Sequence, residues 1–269
     1  MPPRNTSGKQ RAAVEILSLQ QVLTILNELE FEHAMLVGGQ AVLLYAAVYN
    51  LGNNIQLGVS GDIDLIAKAS VAQQLAARLK NAKLTLAKID DHTINSAVIA
   101  VDLNDQQFFQ IDCLNEISGL QTEKILMRAA QIDLQTGNTI KIINPLDLLT
   151  SKLHNVCHIP GKRDKQGLDQ ARISIQIARN YLASMVAENE ADALKAINAH
   201  IESCLGKTYI TAHAEYGLDA FSIIDELTLS HTTFLNEQLP RVRLRYNTRL
   251  RKHYSLLARR DALKERQTP

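Results

Sequence analysis

The stretch MLVGGQAVLLYAAVYNLGNNIQLGVSGDIDLIAK, Met35 to Lys68, decides how this chain is read. An apolar run ends in paired glycines, Gly38-Gly39, and a second apolar run carries two aspartates either side of an isoleucine. Residues two apart on a strand share a face, so Asp62 and Asp64 present their carboxylates together, about 6.5 Å apart, while Ile63 and Leu65 turn to the core. Like charges on one face repel unless a counter-charge lies between them. A hard divalent cation supplies it, since Mg²⁺ takes carboxylate oxygens and keeps positions open for phosphates. A glycine pair at a strand-to-helix turn lets backbone approach a phosphate, with free N–H groups at the helix start. The bland alternatives are a solvated strand face and a turn made of glycine for packing.

A third carboxylate stands in FFQIDCLN, where Gln110 and Asp112 share one strand face and Ile111 and Cys113 the other. If this strand lies beside 62–67, Asp112 completes a cluster able to hold two cations, which polarise a phosphoryl group and activate a hydroxyl. Asp102 and Asp105 read as strand-end and turn residues, and Asp90-Asp91-His92 as an exposed turn. Either Asp102 or Asp105 replaces Asp112 under a different strand pairing.

Working outward, Val14, Leu17, Val22, Ile25, Leu26 and Leu29 recur at helical spacing and predict a helix over 11–30. Residues 34–37 read as a short strand, 40–49 as a helix, 50–60 as a Gly/Asn-rich loop and 62–67 as a strand. Ser70 is placed to cap a helix running to Leu79. Strands are expected at 84–89, 96–103, 107–114 and 139–143, with a short helix after Gly119. After Asn144 the pattern is helical throughout, with Pro145 a good first helical residue. The expected class is therefore α+β: a mixed sheet flanked by helices over 1–143, then an all-α domain over 144–269 carrying a basic tail.

Composition narrows the setting. The chain has 269 residues, 46% of them hydrophobic and 21% charged, enough for a core and too balanced for wholesale disorder. Tryptophan is absent and aromatics are few, against a base-stacking platform. Cys113, Cys157 and Cys204 are odd in number and widely spaced, as expected of reduced thiols in a cytoplasmic protein. No apolar run approaches the ~20 residues that cross a bilayer, and no secretory signal is visible. Charge is uneven. Arg241 to Arg266 holds ten Lys/Arg against two acids, while the rest holds 19 basic and 26 acidic residues. The tail is thus +8 and the remainder −7, the kind of block that meets a polyanion such as RNA or tRNA, though a solvated helical face explains it too.

The order strand, Gly-Gly, helix, loop, Asp-Ile-Asp and a later apolar-Asp-apolar strand resembles the nucleotidyltransferase superfamily with its polymerase-β-like fold. LVGGQAVLLYAAVY…SGDIDLIA is similar to a bacterial branch related to abortive-infection, toxin-type nucleotidyltransferases. INPLDLLTSKLHNVCHIPGKRDKQGLDQARISI is similar to the helical segment after the catalytic core in those proteins. The resemblance covers about residues 31–183. It implies Asp62, Asp64 and Asp112 as catalytic Mg²⁺ (or Mn²⁺) ligands, and Gly38, Gly39 and Ser60 on the triphosphate. It makes Lys152 and Arg163 or Lys165 further phosphate contacts. Between the glycines and the first aspartate lie 22 residues, 40 to 61, longer than the superfamily usually allows.

The resemblance thus implies Mg²⁺-dependent transfer of NMP from an NTP to a hydroxyl of RNA or protein. By kinship with the toxins the expectation extends to a toxin–antitoxin or phage-defence setting, with a cognate antitoxin-like partner. The alternative is a catalytically silent fold of the same kind serving as a binding or regulatory module. A metal nuclease on the same acids leaves the glycine turn without a purpose. His154 and His158, i and i+4 with Cys157 between them, lack a fourth ligand for Zn²⁺ and read as structural or surface residues. Lys152 snorkels from an apolar helix face or meets phosphate, and Asp164 and Asp169 are candidates to cap the following helix.

Overall fold

Eight strands and nine α-helices alternate through the first half and give way to helices in the second, among the residues that the computed structural model describes: 12–13, 19–27, 34–51, 61–91, 93–104, 107–133 and 139–267. In order these are β1 (Ala12–Ala13), α1 (Leu19–Asn27), β2 (Ala34–Val37), α2 (Gly38–Val48), β3 (Asp62–Ala67) and α3 (Ala69–Arg78). Then come β4 (Ala82–Leu86), β5 (Asn95–Asp102), β6 (Gln107–Leu114), α4 (Thr122–Met127), β7 (Ala130–Asp133) and β8 (Thr139–Ile142). The rest is α5 (Pro145–His158), α6 (Lys165–Glu188), α7 (Glu190–Cys204), α8 (Lys207–Tyr216) and α9 (Leu239–Gln267). This is the α+β arrangement expected. The chain divides into two units, Met1–Ser151 and Lys152–Pro269, with the division inside α5.

In the first unit the sheet order is β4-β5-β6-β3-β2-β8-β7, with β1 alongside β6. The β6–β3 and β2–β8 pairs are parallel, and β4–β5, β5–β6, β3–β2 and β8–β7 antiparallel. Strand periodicity fixes which face each residue takes. Ile63 and Leu65 on β3, Ile111 and Cys113 on β6 and Ile99 on β5 are fully buried, while Asp62, Asp64, Gln110 and Asp112 are only half-buried. Central β2 is buried at all four positions, as a short apolar strand covered on both faces should be. Helix α2 is locked against the sheet by Tyr45, whose buried hydroxyl donates to the carbonyl of Ile143 at 2.9 Å. Arg128 forks onto Asp147 with bonds of 2.7 and 3.1 Å, tying the α4–β7 turn to α5. That bond raises the Arg128 pKa further.

Several expectations are corrected. Ala12–Ala13 pairs with Gln107–Phe108 as a strand, although helical periodicity covered it; the helix begins at Leu19. β4 ends at Leu86, and Ile89–Asp91 closes a 3₁₀ turn in which the Asp91 carboxylate accepts from the Lys88 N–H. Ser70 is not a cap: the helix starts one residue earlier, Lys68 occupies the cap position, and no side chain bonds there. β7 was not anticipated: AQID alternates apolar and polar, but over only four residues, a pattern too short to mark a strand by itself. Asp105 and His92 lie outside the described residues.

The second unit is helical. Asp164 caps α6 by accepting from the Gly167 N–H at 2.8 Å, and Asn189 caps α7. Asp169 instead pairs with Arg172 at 2.9 Å. Gly217 ends α8 in the left-handed conformation, φ +66°, that favours glycine. Buried His200 bonds the Ala220 carbonyl at 2.9 Å. Tyr246 fastens α9 by stacking on Phe221, with a bond of 2.7 Å to His213.

Candidate metal and phosphate site

The parallel β3–β6 register sets Asp64 opposite Asp112 and Asp62 opposite Gln110. One oxygen from each of Asp62, Asp64 and Asp112 lies within 4.8 Å of the others, and no other group of three or more His, Cys, Asp or Glu does so among the described residues. The antiparallel β2–β3 register places Val37, the residue before the glycine pair, opposite Asp64.

Gly38 joins the two halves. Its φ is +70°, and a Cβ added there would lie 1.8 Å from Asp64 Oδ2 and 2.7 Å from Asp64 Cβ. Only glycine satisfies both constraints. The helix it opens has no side-chain cap, so the N–H groups of its first turn meet no capping side chain beside the acids. Gly39 is buried in that turn.

Three carboxylates this close repel one another, and the fold offsets part of the cost. Gln110 Nε2 donates to Asp112 Oδ1 at 2.7 Å, and Asn95 Nδ2 reaches the same oxygen at 3.4 Å. The positive end of α2 stands beside Asp64. Gln40, fully buried, donates through Nε2 to the Asp62 carbonyl at 3.3 Å and pins the start of β3 to α2. Asp62 Oδ1 is buried with no hydrogen-bond partner among the described residues. An oxygen-only donor set of this kind suits a hard divalent cation such as Mg²⁺ or Mn²⁺. Neighbouring Cys113 is no competitor: burial, then the charge of Asp112, pushes its pKa up to about 12, so it stays a thiol.

Of the residues singled out by sequence, Gly38, Asp62, Asp64 and Asp112 are thus brought together, and Ser60 lies outside the described residues. Lys152, Arg163 and Lys165 have local surroundings in the second unit. Lys152 is buried and its Nζ bonds Gln170 Oε1 at 2.8 Å. Arg163 donates to the carbonyls of Val156 at 3.2 Å and Cys157 at 2.9 Å, satisfying the end of α5. Lys165 is exposed at the first residue of α6. Asp102 stands 3.9 Å from Lys83 at the end of β5, apart from the cluster. The His154 and His158 rings lie 4.3 Å apart, while Cys157 faces the Thr208 carbonyl, so no Zn²⁺ set forms. Sequence reasoning missed Gln40 and Asn95, since an amide has no positional signature before its partner is known.

No family model matches the chain, and no curated protein is significantly similar to it. No helix among the described residues is long and apolar enough to cross a membrane.

Proposed function

We propose that this protein is a nucleotidyltransferase that moves NMP from an NTP to an acceptor hydroxyl on RNA or protein. The observation that carries this reading is the contact of Gly38 with Asp64, which makes the glycine turn and the three-carboxylate cluster a single site. A lone acidic cluster suits many roles, but one built against the uncapped start of a helix suits a metal-bound polyphosphate.

Asp62, Asp64 and Asp112 would hold Mg²⁺ or Mn²⁺, which neutralises charge developing on the phosphates. The chain's own contribution is positioning. The first turn of α2 receives phosphate oxygens, with Gly38 allowing the close approach. Asp112, oriented by Gln110 and Asn95, accepts the proton of the incoming hydroxyl. The acceptor oxygen then bonds to the α-phosphorus, the α–β bridging bond breaks, and pyrophosphate leaves.

The test incubates purified protein with each α-labelled NTP, Mg²⁺ and total RNA or lysate, beside Asp62→Ala/Asp64→Ala. Label transfer abolished by the double substitution supports the enzyme. Absence of both transfer and Mg²⁺-dependent NTP binding replaces it with a silent binding module.

A further inference from the structure

We propose that one flank of α9, with Lys207 of α8, is a docking surface for the sugar–phosphate backbone of RNA. Successive helical residues advance by about 100°. Arg241, Arg245, Arg249, Lys252 and Arg259 therefore fall within a single narrow stripe about 27 Å long, and all five are exposed. The stripe runs beside the face that anchors the helix, where Leu239 and Tyr246 are buried. Tyr246, bonded to His213 and stacked on Phe221 with ring centroids 4.4 Å apart, holds the helix in one rotation. Those cations are thus a fixed array.

Their neighbours leave the charge largely uncompensated. Arg243, off the stripe, is paired with Asp225, and Arg245 is 3.8 Å from exposed Glu202. Arg249 donates to the Leu205 carbonyl. Among the described residues, no carboxylate lies within ion-pair distance of Arg241, Lys252, Arg259 or Lys207. A cleft of about 260 Å³ between α8 and α9 brings Lys207, Arg249 and Lys252 together with Leu256. It is smaller than the usual pocket for a free metabolite, and it continues the stripe.

Charge complementarity selects the partner. Four of the five stripe residues are arginine, whose planar fork bonds phosphate oxygens two at a time. A bilayer is a poor fit: exposed Leu256 and Leu263 share the cationic stripe, whereas Leu244 and Tyr254 project elsewhere, so the helix presents no continuous apolar face. The choice of RNA over DNA rests on the proposed transferase, to which a ribose terminus offers two adjacent hydroxyls. Recognition of the backbone itself is independent of that reading.

The experiment measures fluorescence anisotropy of labelled 20-nucleotide RNA, and of DNA of the same sequence, across a NaCl series. Six contacts, the five on the stripe and Lys207, predict a log–log salt slope of about −4.2 for a single strand, and Arg241→Gln/Lys252→Gln/Arg259→Gln should reduce it to about −2.1. That variant should lose at least tenfold in affinity at 100 mM NaCl with an unchanged circular dichroism spectrum. The adjacent pair is the sharper test: Lys252→Gln, on the stripe, should weaken binding several-fold, and Arg251→Gln, about 100° away, hardly at all. Equal losses from both overturn the proposal, as do tighter binding of DNA, tighter binding of poly-glutamate, or binding to anionic vesicles alone. Asp62→Ala/Asp64→Ala should bind RNA as the unaltered chain does. RNA binding with neither label transfer nor Mg²⁺-dependent NTP binding removes the transferase and leaves the docking surface standing.

Discussion

Two regions of this protein gather like charges, in opposite ways. On β3 and β6 strand alternation forces three carboxylates into a half-buried group within 4.8 Å, with amides from Gln110 and Asn95 turned toward one of them. On α9 helical phase spreads five cations along a flank that water and salt reach freely. Partly buried charges at short range interact strongly, whereas exposed ones are screened within about 8–10 Å. The acidic group is therefore a local strain that the fold must offset, and the basic flank costs the fold little. The first implies a ligand that relieves the strain; the second implies a partner sought at long range.

The largest effect should come from the residue that closes the acidic group. Gly38 and Gly217 share nearly the same backbone, φ +70° and +66°, but a Cβ at Gly38 meets Asp64 whereas one at Gly217 meets nothing within 4 Å. Gly217→Ala carries the left-handed penalty alone, about 1 kcal/mol. Gly38→Ala adds the clash and should cost about 3 kcal/mol or more. Thermal melts of both variants, and of Gly38→Ala/Asp64→Ala, separate the terms. The second substitution should recover part of the loss; no recovery would mean that Asp64 is not what excludes the side chain.

A pH titration sharpens the contrast from the helical unit. Burial lowers the pKa of His200, partly countered by its bond to the Ala220 carbonyl. The unfolded chain then binds the proton more readily, so stability is complete above the unfolded value near 6.5 and falls as pH drops toward the folded one. His200→Gln should lower stability at pH 7.5 yet flatten the decline between pH 7 and 5, in urea melts followed by circular dichroism. An unchanged slope would assign the acid sensitivity elsewhere, with His154 next to examine, since burial and then His158 lower its pKa as well.

How much of this was legible in the sequence depended on the range of the cause. Side-chain parity is local, so β3 and β6 and the shared face of their acids could be read residue by residue. Register is not local: nothing in the sequence requires Asp64 to stand opposite Asp112, or Gly38 to press on Asp64. The same limit explains Ala12–Ala13, where pairing with β6 overrides helical periodicity. It also bears on Arg163, for which the resemblance implies a phosphate contact: that two of its donors meet the carbonyls ending α5 has no signature in the sequence. The α9 charge excess was plain in composition, but its division into flanks needed the anchoring by Tyr246.

The smallest effect tests whether the acidic group is strained as the contrast requires. Asp62 keeps a buried oxygen without a partner among the described residues, and two further carboxylates face it. Replacing one charge by a neutral isostere should then stabilise the chain, because repulsion disappears while shape is retained. Asp62→Asn is expected to raise stability by about 1 kcal/mol in metal-free buffer at low salt. Millimolar Mg²⁺ should raise the melting temperature of the unaltered chain and leave that of Asp62→Asn nearly unmoved. The two results are linked: a site that gains from losing a charge must gain from a cation that neutralises it. Loss of stability in Asp62→Asn would instead make the carboxylate a structural acceptor and remove the reason to place metal there.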